Sequence, residues 1–340
     1  MNALAGSCIP IAAMGLAFTA CKQLSFCSWR RLWTFVVLVG LFTATDGLFV
    51  VESRYGLLNV YMVLLGLLSQ WLWLLKDGAN WQRGVMLTIL SGVCLGCAIA
   101  VKWNGLGFAL SLLIWEIIRG RKLSSFCLLI IFSILTYAAV WLPHLRLTEA
   151  TFGSVHASLF SFHRALSADG HAACSRWFTW PLLIKPITYW YEKKGATAYT
   201  VNNMGNPALW WFSSAVMLLS FDRLREMGDS LFRKCRLPLL ERNLLHTFFV
   251  VCYCSNLLPW VVVRRCTFVY LYMPAAVFGF MGFAWVVSGW LYHPSASVRW
   301  MGWMICVVTA VAFWFWLPLS IGSPLSESAL QARWWLRSWI

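Results

Sequence analysis

Between two long apolar runs lies the stretch Asp46-Gly47-Leu48-Phe49-Val50-Val51-Glu52-Ser53-Arg54-Tyr55-Gly56-Leu57-Leu58-Asn59. Two carboxylates and a guanidinium fall where an apolar helix should be ending. A charge at that depth costs about 2.5–3.5 kcal/mol at a bilayer centre and less near an interface. Such groups are therefore paired or used. One use is structural: Asp46 or Glu52 forms an ion pair with Arg54 and pins two helix ends together. The other is chemical: Arg54 faces a water-filled site and holds an anion. Both stay open at this level.

The elements that carry these residues follow from composition. Of 340 residues, 60% are hydrophobic and 11% charged, with a mean hydropathy of +0.70. Too little polar surface exists to cover a soluble domain. Apolar stretches recur at about 3–20, 32–51, 57–75, 84–101, 105–118, 124–142, 207–221, 244–263, 267–290 and 299–318. Most have the roughly 17–25 residues a bilayer-crossing helix needs. The expected architecture is an all-α, polytopic integral membrane protein of about ten transmembrane helices. Residues 1–142 would hold six spans, 143–206 a long loop with an amphipathic surface helix, and 207–340 four spans and a tail.

Charge sets the orientation. One set of short loops carries fifteen cations, from Lys22 to Arg299; the opposite set carries Arg54, Lys102, Arg264 and Arg265. The positive-inside rule puts the fifteen in the cytoplasm, and residue 1, the 143–206 loop and the tail after 318 outside. The net charge of +15 is then a topology signal. Its scatter between apolar runs excludes a nucleic-acid-binding face. The four outer cations are not required by topology, so they are candidates for a substrate anion; snorkelling to lipid phosphates is the plainer use.

The outer loop is rich in aromatic residues between Trp177 and Tyr191, which argues against disorder. Cys174 is its single cysteine, so no disulfide is implied within it. Cys94 and Cys97 have the spacing of a redox or metal pair, but they lie in an apolar span with no second pair. Small apolar packing is their simpler role. His144, His156, His163 and His171 fit no standard ligand spacing, and no metal site is expected.

Four stretches together resemble the dolichyl-phosphate-mannose protein O-mannosyltransferases, bacterial members most closely. They are Asp46-Gly47-Leu48 through Glu52-Ser53-Arg54 and Leu57-Leu58; Ala100-Val101-Lys102-Trp103-Asn104-Gly105-Leu106; Ser175-Arg176-Trp177 with Trp180-Pro181-Leu182-Leu183, Pro186, Gly205-Asn206-Pro207 and Trp210-Trp211; and Leu258-Pro259-Trp260 with Arg264, Phe268, Tyr270, Tyr272 and Pro274-Ala275. The resemblance implies a GT-C-like glycosyltransferase in a bacterial plasma membrane. It implies transfer of mannose from a polyprenyl or dolichyl phosphate to Ser/Thr hydroxyls of an acceptor protein on the outer face. Arg54, Lys102 and Arg264 would bind the donor phosphate, Arg264 being preferred over Arg265. Trp177, Trp180 and Tyr189 would belong to a surface helix, Trp177–Tyr191, beside the site. No cofactor is firmly implied, and a divalent metal is left open.

Two departures qualify this. The family's outer loop with an adjacent Asp-Glu pair, whose acid is the expected base, is missing, as if the chain began at the second helix. Glu52 and Asp46 are the substitutes, and neither is assigned as the base. Asn59 stands where relatives often carry Asp. The expectation is a chain that binds donor but transfers poorly. A related lipid-phosphate-sugar transferase with another sugar or acceptor, and an inactive donor-binding protein, remain alternatives; a transporter is disfavoured by the lack of matching broken helices. The orientation is testable by single-cysteine labelling in intact cells on a cysteine-free background. An impermeant reagent should reach 143–206 and the tail, and labelling at position 230 would overturn the topology.

Overall fold

The computed structural model describes residues 1–121, 123–167, 170–220 and 244–339. Each of the ten apolar stretches carries helix. The helices are α1 (Asn2–Leu24), α2 (Trp29–Ala44), α3 (Gly47–Arg54), α4 (Asn59–Leu75), α5 (Trp81–Val101), α6 (Leu106–Ile118), α7 (Ser124–Thr148), α9 (Pro207–Leu219), α10 (Leu244–Leu257), α11 (Met273–Leu291) and α12 (Ala296–Ile321), with α8 (Phe152–Ala165) in the long loop. Among the described residues, seven helices are long and apolar enough to cross a membrane, counting the 3-10 turns that extend some of them. The pair α2–α3 makes an eighth if taken as one span bent by 57°. The short helices at Trp103–Ile118 and Pro207–Leu219 account for the remaining two of the ten expected spans. The loop 222–243 lies outside the described residues.

The bend between α2 and α3 has a local cause. Asp46 takes the N-cap position of α3, and its Oδ1 accepts the Leu48 and Phe49 amides at 3.1 and 3.4 Å. A capping carboxylate of this kind starts a new helix and ends the old one. Gly47 completes the corner: a Cβ there would stand 2.5 Å from the Met204 carbonyl and 2.7 Å from Ser320 Oγ.

Helix α11 is the hub. Its span is 89% buried, against 17% for α7 and 28% for α12. It packs on α2, α9, α10 and α12, while α1, α4, α5 and α7 form a second row joined to it chiefly by α1 on α2 and by α6 on α10. Helices α5 and α7 approach closely because α5 presents Gly92 and Gly96 to the α7 backbone. A Cβ on Gly92 would lie 2.7 Å from the Leu129 carbonyl, and Ser133 Oγ donates to the Gly92 carbonyl at 3.1 Å. Small residues at such a crossing allow the backbone contact that holds helices together in lipid.

The long loop departs from expectation. Its amphipathic helix is α8, opened by a Thr151–Ser154 capping box, not Trp177–Tyr191. That segment is a single 3-10 turn, Trp177–Thr179, followed by coil and the strand β1 (Ile187–Lys194). β1 pairs antiparallel with β2 (Thr197–Asn203), with a register shift between Thr188 and Trp190. β2 in turn pairs with β3 (Leu325–Ser326) in the tail, just before the short α13 (Glu327–Gln331). The helical membrane fold therefore carries a small three-stranded sheet at one end. The run of β-formers in Ile187-Thr188-Tyr189-Trp190-Tyr191 and the Gly195 turn, with φ +60°, explain the hairpin.

The α5–α7 crossing yields a stability test. Gly92→Ala should destabilise the detergent-solubilised protein by about 1–3 kcal/mol through overpacking. Gly84→Ala, whose Cβ would meet nothing nearer than a carbonyl at 3.9 Å, should be neutral or stabilising by up to about 1 kcal/mol through helix propensity. Equal melting temperatures for G92A and the parent protein would contradict the contact.

Candidate active site

At one end of the bundle the chain gathers Asn2, Glu52, Lys102, Tyr189, Asn203 and Tyr270. Asn2 Nδ2 donates to the Tyr55 and Leu57 carbonyls, fastening the start of α1 to the α3–α4 turn. Below that turn the Glu52 carboxylate is buried. Its Oε1 accepts from Tyr189 Oη at 2.7 Å and Asn203 Nδ2 at 2.6 Å, and its Oε2 accepts from Asn59 Nδ2 at 2.8 Å. Three donors from α4, β1 and β2 thus satisfy a group that burial alone would make costly. Tyr189 Oη in turn accepts from Asn203 Nδ2 at 2.6 Å. Burial and the neighbouring Glu52 charge raise the Tyr189 phenol well above its usual range, so it stays a donor.

Asn59 passes the effect outward. Its Oδ1 accepts from Lys102 Nζ at 2.9 Å. Lys102 is the C-cap of α5, and its ammonium sits 4.7 Å from the centre of the Tyr270 ring, within cation–π range. Among the described residues no carboxylate pairs directly with it. Desolvation lowers its pKa from 10.5 to about 8; the Glu52 charge opposes that shift and the Arg265 charge adds to it. Tyr55, Gly56, Leu57, Leu58, Asn59, Val101, Lys102, Tyr189 and Tyr270 line a cleft of about 520 Å³. It holds a cation with ammonium hydrogens to spare, fixed from behind by a relay that ends on a buried carboxylate.

The other sequence candidates are placed differently. Arg54 is exposed and makes no ion pair among the described residues. Glu52 and Arg54 are two positions apart on α3, a spacing that turns side chains to opposite sides of a helix, so the ion pair that the sequence left open does not form. Asp46 is sealed: besides the two cap amides it accepts the Asn206 amide at 2.8 Å and Trp210 Nε1 at 2.7 Å. It ties α3 to the start of α9 and is not part of the cleft lining. Arg264 is exposed and, with Arg265, Arg176 and Trp177, borders a second cavity of about 480 Å³. Arg265, the member of the pair set aside on sequence grounds, is the half-buried one, and its charge is felt by Lys102, His163 and Tyr270. Trp180 is core, edge-on to Trp260 and donating to Ser175 Oγ at 2.9 Å.

Sequence reasoning missed Asn203 and the bridging role of Asn59. Asn203 reads as part of a turn before Pro207; it is the last residue of β2. A disulfide was missed too: Cys174–Cys266 joins the long loop to the segment carrying Arg264 and Arg265. The opposite end of the bundle makes a useful contrast. There Glu116 accepts from Trp73 Nε1 at 3.0 Å, Lys76 lies 3.9 Å from Glu116, and Arg121 binds Asp77 at 2.7 Å through both carboxylate oxygens. Cations at that end are neutralised by acids, whereas Lys102 is not. No group of three metal-ligating side chains occurs among the described residues.

Helical spans pack around a central α11, with a cleft at one end lined by the Lys102 ammonium. The whole chain superposes on 80% of a chain of the S. cerevisiae protein O-mannosyltransferase Pmt1–Pmt2 complex bound to the sugar donor, with a TM-score of 0.80 at 12% identity, a likeness of fold. Residues 1–161 match the family model described as dolichyl-phosphate-mannose-protein mannosyltransferase. Residues 148–339 match that of the C-terminal four-transmembrane region of protein O-mannosyltransferase. A polyprenol-phosphate-mannose–protein mannosyltransferase of Mycobacterium tuberculosis is 24% identical over 97% of this chain and 71% of its own length. The S. cerevisiae dolichyl-phosphate-mannose–protein mannosyltransferase 1 is 22% identical over 54% of this chain and 23% of its own. The chain belongs to the protein O-mannosyltransferase family.

The Glu52–Asn59 contact generates a prediction. Asn59→Leu leaves a buried carboxylate oxygen without its donor, a loss of about 1–3 kcal/mol. Asn59→Leu and Glu52→Gln, made singly and together, should show a coupling of about 0.5–3 kcal/mol in the stability of the detergent-solubilised protein, as residues in one hydrogen-bond network do. Additive losses in the double variant would argue against the contact.

Proposed function

We propose that this chain transfers mannose from a polyprenyl or dolichyl phosphate to Ser/Thr hydroxyls of acceptor proteins, on the outer face of a bacterial plasma membrane. The observation that carries the reading is the Lys102 ammonium, held over a cleft by Asn59 and the Tyr270 ring and left without a carboxylate partner among the described residues. Transfer from a lipid phosphate develops negative charge on the leaving phosphate, and a fixed cation stabilises that charge more in the transition state than in the ground state. Lys102 would contact the phosphate. Arg54, next in the chain to the lining residue Tyr55, would meet it from the exposed side. Arg264 and Arg265 both border the neighbouring cavity and would add positive charge beside it. Tyr189 lines the cleft and closes the relay to Glu52.

Glu52 in this reading is not the base. Both its oxygens are already occupied by donors. Its role is to orient Asn59, and through it Lys102. Asp46 is a helix cap and a tie between α3 and α9. The disulfide supports the sidedness independently of the charge count, because such bonds persist outside the reducing cytosol.

The test is mannose transfer from polyprenyl-phosphate mannose to a Ser/Thr peptide in membranes expressing the chain, with donor binding measured alongside. Lys102→Met should lower transfer by about 10²-fold or more, the usual loss when one charge-stabilising group is removed. Binding should also depend on pH with a definite sign. The folded-state ammonium is charged below about 8, so affinity for polyprenyl phosphate should fall as pH rises through that value. Lys102→Arg, which stays charged, should flatten the fall. The same shift affects stability oppositely: the unfolded chain holds the extra proton between about 8 and 10.5, so this group's contribution to stability grows with pH there. Undiminished transfer by K102M would rule the reading out.

A further inference from the structure

Two membrane spans, Leu244–Val262 and Val269–Leu291, are joined by residues 263–268 alone. A connection this short keeps its side chains at the level where hydrocarbon gives way to lipid headgroups. It carries Arg264 and Arg265. Covalent and polar ties bring the long loop to the same level. The Cys174–Cys266 disulfide joins residues 92 apart. Beside it the Ser175 amide donates to the Thr267 carbonyl at 2.8 Å, and Thr267 Oγ1 donates to the Ser175 carbonyl at 2.5 Å. Arg176, Trp177 and Phe178 are thereby set against the two arginines, and all five border the cavity of about 480 Å³ together with Val261. The lining is of two kinds. Val261 and Phe178 are apolar yet 55% and 52% exposed, and Val261 lies in the last turn of its span. Trp177 is of the type that sits at a membrane–water interface. The three arginines have no ion-pair partner among the described residues. Arg265 Nη1 donates to the Cys266 carbonyl at 3.1 Å, which uses one of five guanidinium hydrogens.

We propose that this cavity, separate from the Lys102 cleft, is a site for the phosphate headgroup of an anionic phospholipid from the surrounding leaflet. Three guanidinium groups at one depth match the headgroup's charge, and the apolar lining next to them matches the acyl chains. A lone arginine that snorkels to the interface selects no particular lipid. Here three arginines from two loops, joined by a disulfide, border one cavity. A lipid held there fastens the long loop to the membrane surface. Lys102 and its relay take no part, so the site stands whether or not the chain uses a lipid-phosphate donor.

The experiment titrates the purified full chain in detergent with a short-chain phosphatidylglycerol and counts bound lipid by native mass spectrometry. Saturable binding is expected. It should be weaker for phosphatidylcholine, whose choline cation would face three arginines, and weaker still for inorganic phosphate, which brings no acyl chain. Arg176→Ala and Arg264→Ala should each lower the affinity about fivefold. That is the roughly 1 kcal/mol of one basic residue near an anionic lipid surface, converted at 1.4 kcal/mol per tenfold. Both side chains are exposed, so their loss leaves the fold intact. Lys102→Met should leave phosphatidylglycerol binding unchanged. Uptake without saturation, or affinity unchanged in the R176A/R264A double variant, would overturn the site. Inorganic phosphate bound as tightly as the lipid would make it a free-anion site instead. Loss of lipid binding in K102M would move the lipid to the Lys102 cleft and overturn the assignment. Displacement of the lipid by an acidic Ser/Thr peptide would turn the cavity into an acceptor site and overturn it as well.

Discussion

The site depends on one buried acid. Glu52 lies inside the bundle, where a carboxylate without partners is costly. It is retained because α4, β1 and β2 each send it a donor. That requirement fixes the geometry of three elements far apart in sequence: the first residue of α4, an early residue of β1 and the end of β2. The same requirement fixes Asn59 with its amide nitrogen on Glu52, and its carbonyl oxygen is what Lys102 binds. An acid outside the cleft lining therefore sets the direction of the cation that lines it.

A second buried acid does complementary work. Asp46 breaks the α2–α3 span, caps α3 and draws the α9 N-terminus and its Trp210 against the same short helix. Asn206 extends the tie to α12 by donating to the Thr309 carbonyl at 2.9 Å. Helix α3 is thus held at both ends by carboxylates, Asp46 at its start and Glu52 near its last turn. Each acid is satisfied by neutral donors and not by an arginine. Neutral donors leave Lys102 and Arg54 without carboxylate partners among the described residues, which is the condition for binding an exogenous anion. At the other end, where Glu116 and Asp77 pair with Lys76 and Arg121, the same kinds of residue cancel one another.

What the sequence determined is the part governed by local pattern. Length and apolarity of ten stretches dictated helix in each, because a chain in lipid must satisfy its own backbone. The four motif stretches marked the family, and the charge bias marked Lys102 as one of four outer cations. The break at Asp46 was not read, since the apolar stretch 32–51 runs through it and only the capping geometry divides it into α2 and α3. Pairing between distant segments was not visible. Whether Glu52 meets Arg54 or Tyr189 depends on a hairpin 137 residues away, and the helical twist of α3 turns Arg54 aside. Whether Arg264 or Arg265 is the more buried depends on where Cys266 is anchored, and its partner lies in another loop. The start of β1 hid in an aromatic segment whose amphipathic pattern suited a surface helix equally well. Local propensity acts over a few residues and is written in the chain; satisfying a buried charge takes groups brought together by folding, so only the tertiary structure decided which residues would be its partners.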